Sequence, residues 1–272
     1  MTLENAMLVF NKDWREMRRN WQIIGPLVVV PMLITVMLPL IIILVPAMMT
    51  IPGTSFNIPT TMSENLPPEL EIAGMNATQQ IVYIFALYFF APFFPIIPIT
   101  VSSVLASDSF AGEKDRKTIE ALLATPLTDG ELLLGKILVS FIPSILVTFL
   151  AFVAYSAVVD ITAFALFGGR ILLPNLLWLA LIFFVTPTVA LAGIGVTVIV
   201  SVRVKGFREA QQLSALLVLP AILLIFSEVG GLLMFGPTML VMLIIGFVVL
   251  DMIVFKVGTS LFRREEILVK SV

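Results

Sequence analysis

The chain of 272 residues contains no histidine and no cysteine. Without histidine, the sequence can form no His-based catalytic triad, no H-E-x-x-H zinc site and no histidine proton relay. Without cysteine, it can form no disulfide bond, thiolate nucleophile, cysteine-ligated zinc site or iron–sulfur cluster. These two absences remove several of the commonest catalytic and metal-binding chemistries from consideration.

Charged residues are also scarce. They make up only 12% of the chain, against about 25% in ordinary soluble domains. Hydrophobic residues make up 59%, and the mean hydropathy is +1.09. The net charge of −2 provides no basic surface for nucleic acid. The composition therefore excludes a soluble enzyme and predicts an all-α, polytopic membrane protein that binds no nucleic acid.

Six stretches of the sequence are long and apolar enough to cross a bilayer, which takes about 20 residues for a helix. Their predicted limits are residues 22–50, 81–106, 137–159, 171–200, 208–227 and 238–257. The fifth stretch is short if it begins at Leu213, so its helix is expected to begin near Phe207. The alternative is that residues 228–237, which contain Glu228, two adjacent glycines and Pro237, form a re-entrant segment.

The basic residues predict the orientation of these spans. Lys and Arg concentrate in cytoplasmic loops near membrane ends. Fifteen of the 16 basic residues lie in or beside the N-terminal segment, the connections after the second and fourth spans, and the C-terminal end, which all fall on the same side of a six-span protein. Arg170 is the exception. Both termini are therefore expected in the cytoplasm, with the chain in the cell (plasma) membrane. Residues 51–80 then form an external loop, which ends near the glycosylation acceptor pattern at Asn76.

Two cytoplasmic segments stand out. Residues 1–21 carry apolar side chains at spacings of three and four, with basic residues largely on other faces, which is typical of an elbow helix lying in the membrane interface. The second segment is the loop 107–136. Within it, Glu113–Ala124 is predicted as a short helix with a charged first turn, and Pro126 ends it. Thr128 or Asp129 is expected to cap the next helix.

The loop carries a recognisable pattern. It contains T-x-E-x-L-L-x-T-P at residues 118–126 and E-L-L-x-G-K at residues 131–136, immediately before the third span. In order, spacing and position this resembles the cytoplasmic signature of ABC-2-type permeases, the membrane subunits of ATP-binding-cassette transporters. The six spans and the N-terminal elbow extend the resemblance along the whole chain.

The resemblance implies a function and a set of partners. It implies a permease subunit, most simply of an exporter, that works as a homodimer with two separate ATPase subunits. ATP and Mg²⁺ would then bind to the ATPase, and this chain would have no catalytic, cofactor-binding or metal-binding residues of its own. The coupling helix that contacts the ATPase would comprise Glu113, Asp115, Arg116, Thr118, Ile119, Glu120, Leu122, Leu123, Thr125 and Pro126.

One apparent nucleotide-binding motif is false. Residues 130–136 fit G-x-x-x-x-G-K, the beginning of a P-loop, but a working P-loop continues with Ser or Thr and joins a strand to a helix. Here Ile137 occupies the next position and a membrane span follows. The ATPase is therefore expected on another polypeptide.

Four residues within the spans are candidates for the translocation path. Pro92, Pro95 and Pro98 each remove a helix hydrogen bond, so the second span must bend or unwind near them. The bend is either a hinge beside the path or a static kink. Asp251 is the one ionisable residue within an apolar run, and acids in spans usually face a protein interior or water. It is either an ion site or the partner of Lys256 or of a polar group on a neighbouring span.

Two other classes of function remain open. An ion-coupled secondary carrier would use Asp251 and need no ATPase, but the sequence shows no inverted repeat of the kind such carriers often contain. An intramembrane aspartyl enzyme would need a second acid near Asp251, and the sequence offers no obvious one.

Overall fold

The computed structural model describes residues 3–48, 75–116, 118, 127–204, 206–229 and 236–261. Within these residues the chain is helical and contains six helices long and apolar enough to cross a membrane. The all-α polytopic fold and the number of spans are therefore confirmed. In lipid only internally hydrogen-bonded structures can span, and a helix satisfies each backbone group within its own segment.

The N-terminal helix, Leu3–Arg19, is separated from the first span, Trp21–Met48, by Asn20. The Asn20 carbonyl accepts hydrogen bonds from the backbone N–H groups of Ile23 and Ile24, so the first span begins there. Ala6, Val9, Asp13 and Met17 are the buried residues of the N-terminal helix, which packs on the third span. Leu3 and Met7, predicted on the same face as Ala6 and Met17, are exposed.

The second span is built from several pieces: the α-helix Ala77–Ile84, the π-helix Phe85–Phe89, the 3₁₀ turn Ala91–Phe93 and the α-helix Ile96–Asp115. It begins four residues earlier than predicted because Asn76 caps it, in a reciprocal capping box with Gln79. Residues 51–74 of the predicted external loop lie outside the described residues.

The third span belongs to the helix Asp129–Ala163. The Thr128 side chain accepts a hydrogen bond from the Glu131 N–H, and the Glu131 side chain accepts one from the Thr128 N–H, so the predicted cap is confirmed. Gly168 and Gly169 adopt positive φ in the turn that follows this helix. Asp160 Oδ1 then accepts the N–H groups of Leu172 and Leu173, which ties the returning chain to the last turns of the helix.

The fourth span begins at Leu176, five residues later than predicted, because Asn175 caps it. It continues through the π-helix Leu181–Val185 to Arg203. The fifth span begins at Phe207 and comprises Phe207–Ser214, Ala215–Val218 and Leu219–Val229. The sixth is Pro237–Leu261. Residues 230–235 lie outside the described residues, so the re-entrant segment stays a prediction.

The second, third and fourth spans form the interior of the bundle. The first span packs on the third, the sixth on the fourth, and the beginning of the fifth on the second and fourth. The first, fifth and sixth spans are the least buried, and their outer faces carry large exposed apolar side chains such as Leu33, Phe226 and Met242. Those faces suit contact with lipid or with another apolar protein surface.

Candidate functional site

Four charged side chains meet where the second span ends and the third begins. Lys136, in the second turn of the third-span helix, is buried, and its Nζ lies 2.7 Å from Glu113 Oε2 and 3.7 Å from Asp13 Oδ2. Lys12 Nζ lies 3.0 Å from Glu113 Oε1 and 3.0 Å from Asp13 Oδ1. We call Lys12, Asp13, Glu113 and Lys136 the ion-pair cluster.

The ion-pair cluster has two cations and two carboxylates, so its formal charges cancel. Ser109 completes it: its hydroxyl donates to Asp13 Oδ2 at 3.0 Å, and its carbonyl accepts from Lys136 Nζ. Lys136 also lies over the Phe110 ring, 5.3 Å from the centroid. Burying a charge is tolerable only when partners of this kind replace the lost water.

The N-terminal helix fits closely against the third span beside this cluster. A Cβ added at Gly135 would lie 2.6 Å from both the Ala6 carbonyl oxygen and Val9 Cβ, so the backbones approach each other where only glycine fits. Asn5 Nδ2 also donates to Glu131 Oε1 at 3.3 Å. The G-K pair at residues 135 and 136 therefore serves helix contact and ion pairing.

A second group of ion pairs lies nearer the surface. Arg116 Nη1 lies 3.0 Å from Asp108 Oδ1, and its Nε lies 3.5 Å from Glu16 Oε1. Burial of the guanidinium opposes its charge, but the hydrogen bond to Asp108 and the nearby carboxylates outweigh burial and raise the pKa of Arg116. Arg116 thus links the end of the second-span helix to the N-terminal helix.

Asp115 connects the same place to the fifth span. Its Oδ2 accepts the backbone N–H of Phe207, the first residue of that helix, at 2.9 Å. A carboxylate at a helix N-terminus satisfies an otherwise unpaired donor and favours the helix dipole. A Cβ at Gly206 would overlap this carboxylate in its present position, so the absence of a side chain at residue 206 allows the close approach.

The predicted coupling helix is only partly described. Glu113 lies in the last turn of the helix Ile96–Asp115 and is 3% exposed. The prediction that Glu113 opens a separate helix is therefore wrong: the apolar span continues to Asp115 because the ion-pair cluster compensates its buried charge. Arg116 and Thr118 are exposed. Ile119, Glu120, Leu122, Leu123, Thr125 and Pro126 lie outside the described residues.

The roles of Asp13, Asp108 and Lys136 are not evident from the motifs of the sequence. A basic residue at a span end is an ordinary topology signal, which fits Lys136 but does not reveal its partners. The available signal was Asp13 itself, because it lies on the face of the N-terminal helix that also carries Ala6 and Met17.

The prolines of the second span leave backbone carbonyls that neighbouring spans satisfy. Pro92 has no N–H, and the helix departs from α geometry on both sides of Phe90, as the proline spacing predicts. The Tyr155 hydroxyl donates to the Ala86 carbonyl at 2.7 Å, and Trp178 Nε1 donates to the Leu87 carbonyl at 2.9 Å. Both donors are fully buried.

The two donors belong to a close aromatic cluster. Tyr155 and Trp178 stack with centroids 5.0 Å apart, and Phe94, between Pro92 and Pro95, meets Trp178 edge-on at 4.7 Å. Phe152 also stacks with Trp178, with centroids 5.7 Å apart. Because paired donors and packed rings hold the broken segment, this geometry favours the static kink over a hinge.

Asp251 lies on the sixth span facing the third and fourth spans. Its Oδ1 is buried and accepts no hydrogen bond within the described part of the chain. It lines a cavity with Leu133, Ile137 and Ile194. In the same described residues, no group of three or more acidic side chains is placed to hold a metal ion.

A family model described as ABC-2 family transporter protein matches residues 7–236. The matched range begins within the N-terminal helix and contains the first five spans together with the ion-pair cluster. No curated protein matches the chain.

Proposed function

The chain belongs to the ABC-2 family of transporter proteins, and from that premise we propose that it is an exporter driven by ATP hydrolysis on a separate subunit. Membership makes the chain a membrane permease of an ABC transporter and implies an ABC ATPase partner. The direction of transport, the coupling route and the stoichiometry belong to the proposal.

One observation carries the coupling part of the proposal: the Lys136–Glu113 ion pair joins both ends of the cytoplasmic segment that resembles a coupling helix. Residues 117–127 connect the helix that ends at Asp115, two residues after Glu113, to the helix that begins at Asp129, about two turns before Lys136. The same ends of the second-span and third-span helices also contact two other helices. Lys136 pairs with Asp13 of the N-terminal helix, and Asp115 accepts the first N–H of the fifth span. A force applied to the segment is therefore transmitted to four helices together.

This geometry divides the proposed coupling residues into two groups. Glu113 is buried in the ion-pair cluster, so we assign it a positioning role. Asp115 and Arg116 are exposed. Asp115 also accepts the Phe207 N–H, and Arg116 also pairs with Asp108. With Thr118, Ile119, Glu120, Leu122, Leu123, Thr125 and Pro126 they form the proposed ATPase contact.

We further propose the topology and assembly that this function requires. The N-terminal helix, the ion-pair cluster and the beginning of the fifth span lie at one end of the bundle. We propose that this end faces the cytoplasm, because basic residues concentrate on that side of membrane proteins. The exposed Leu3, Met7 and Trp21 suit the proposed interfacial position of the N-terminal helix. The exposed apolar faces of the outer spans leave room for a second copy in a two-plus-two complex.

The test is co-purification of the full chain with its ATPase from the native host in mild detergent. The triple substitution Ile119/Leu122/Leu123→Ala is expected to lower the amount of ATPase recovered at least several-fold, while the chain remains in the membrane. A recovered protein that carries a P-loop, lost in this variant, supports the proposal. Equal recovery from both forms would contradict the contact.

A matched control removes equally large apolar side chains from the opposite end of the bundle. Ile161, Ile171 and Leu176 are exposed there, and their triple substitution by alanine is expected to leave ATPase recovery unchanged. A loss in both variants would indicate general destabilisation.

A second candidate function is an ion-coupled carrier, favoured by the unpartnered Oδ1 of Asp251. In such a carrier, transport needs no ATPase, and Asp251→Asn abolishes it. Pro92, Pro95 and Pro98 remain proposed path residues under either function. Transport that persists after removal of every ATPase, but disappears in Asp251→Asn, would favour the carrier over the ATP-driven permease.

A further inference from the structure

A cavity of about 130 Å³ lies between the third, fourth and sixth spans. Its lining includes Leu133, near Lys136, so it lies at the bundle end that contains the ion-pair cluster. The walls are apolar side chains, among them Ile137, Ile194 and Val198. Asp251 is the one ionisable side chain among the lining residues that the structure describes.

Asp251 contributes a carboxyl group to the lining of this apolar space. Its Oδ1 is buried and has no hydrogen-bond donor among the described residues. A buried acceptor without a donor is costly, and ionisable groups at membrane depth generally mark a functional site. A ligand that suits this lining therefore supplies a hydrogen-bond donor and a positive charge beside an apolar chain.

The cavity is closed on one side by helix contact and open on others. A Cβ added at Gly258 would meet nothing within 4 Å, so this glycine leaves its side of the cavity open. A Cβ at Gly195 would clash with Val254, so the fourth and sixth spans touch and close another side. Leu191 and Phe255 line the cavity and are exposed on the outer face of the bundle, where an alkyl chain can enter from the bilayer.

We propose that this cavity binds an amphiphilic ammonium compound, with its charged nitrogen at Asp251 and its alkyl chain along the apolar walls. An ammonium group supplies three donors and a full positive charge. An alcohol of the same length supplies only a neutral donor. The ammonium comes either from an aminophospholipid of the membrane or from a free alkylamine, and both present the same chemistry.

The inference depends on the chain being a membrane permease but not on coupling to an ATPase. Its test therefore measures binding alone, without ATP or a partner. If binding is found and ATPase recovery fails, only the coupling proposal falls. If ATPase recovery succeeds and binding fails, only this inference falls.

The experiment uses the full chain in phosphatidylcholine nanodiscs with two photoreactive probes, an octylamine and an octanol that carry the same diazirine. Labelled peptides are mapped by mass spectrometry. The amine is expected to label peptides that contain Ile137 and Ile194 far more than the alcohol does. Asp251→Asn should lower amine labelling about thirty-fold, as loss of a desolvated charge partner does, and leave alcohol labelling unchanged.

A pair of glycine substitutions on the same helix tests the shape of the site with the carboxylate intact. Gly258→Val fills the cavity and should lower labelling by the amine at these peptides. Gly246→Val also adds its side chain to open space but does not line the cavity, so labelling should not change. If Asp251→Asn fails to fold, the Gly258→Val comparison carries the test.

Equal labelling by amine and alcohol, or undiminished amine labelling in Asp251→Asn or Gly258→Val, would overturn the inference. The source of the ammonium is found from lipids that co-purify from native membranes. Aminophospholipid enriched with the wild type and lost in Asp251→Asn identifies a lipid ligand. Amine labelling without such enrichment identifies a free amphiphile.

Discussion

The Lys136 ammonium lies 2.7 Å from Oε2 of Glu113, 23 residues earlier in the chain, and each side chain is less than 5% exposed. This pair joins the end of the second-span helix to the beginning of the third-span helix, on either side of the segment that connects them. Its removal should therefore affect the stability of the bundle as well as its function.

We first predict that Lys136→Met destabilises the protein by about 3–5 kcal/mol, because it removes the buried one of the two cations that Asp13 and Glu113 share and leaves them with the half-exposed Lys12. Thermal unfolding in detergent measures the loss. Adding Glu113→Gln to Lys136→Met should recover part of it. Arg170→Met, an exposed cation outside the cluster, is the control and should change stability little. A small effect of Lys136→Met would contradict a closed cluster.

We next predict that Gly135→Val separates the N-terminal helix from the third span, because its Cβ would overlap Ala6 and Val9. Overpacking of this kind costs about 1–3 kcal/mol. The chain has no native cysteine, so spin labels at Leu8→Cys and Ile142→Cys report the distance between the two helices. The distance should increase in Gly135→Val and stay constant in Gly246→Ala. An unchanged distance in both variants would refute the close approach.

A third prediction concerns the aromatic donors. Tyr155→Phe and Trp178→Phe each leave a carbonyl of the second span without its donor, at a cost of about 1 kcal/mol for the lost hydrogen bond; Trp178→Phe also loses packing. Both should lower the unfolding temperature. Trp21→Phe, at an exposed indole, should not. If Tyr155→Phe is as stable as the wild type, the bend in the second span does not depend on the hydrogen bond from the Tyr155 hydroxyl.

The fourth prediction concerns alkaline pH. Burial lowers the pKa of Lys12, but the carboxylates of Asp13 and Glu113 outweigh burial and raise the pKa above its ordinary 10.5. Because the pKa is raised by folding, the contribution of Lys12 is fully present below 10.5 and is lost as the pH rises through the folded value. The Leu8–Ile142 spin-label distance should stay constant up to that range and then increase. Lys12→Met should remove the Lys12-dependent part of this transition, and a wild-type transition well below pH 10 would disagree with the assignment.

The six spans and the Thr128 cap could be predicted because hydropathy and capping are local properties of the sequence. The limits of the spans were less predictable, because Asn76 and Asn175 cap the second and fourth spans and set where these helices begin. The irregular second span was also predictable, since Pro92, Pro95 and Pro98 each remove a backbone donor. The groups that compensate this loss were not, because Tyr155 and Trp178 come from other spans and no spacing along the sequence links them to Ala86 and Leu87.

The ion-pair cluster shows the same limit at the candidate site. The motifs at residues 118–126 and 131–136 predict the coupling segment, but Asp13 and Lys136 are 123 residues apart and only the packed helices bring them together. Lys12 and Lys136, which the sequence presents as ordinary topology signals, supply both cations of the ion-pair cluster.

The composition of the cluster also sets an order of events during biosynthesis. Asp13 leaves the ribosome before any span, Glu113 follows after two spans, and Lys136 arrives at the start of the third. Until Lys136 has been made, the Asp13 and Glu113 carboxylates have Lys12 as their one cation within the ion-pair cluster. The ion-pair cluster can therefore close only after the start of the third span has been made, and a chain that lacks Asp13 would leave Lys136 with one carboxylate partner fewer.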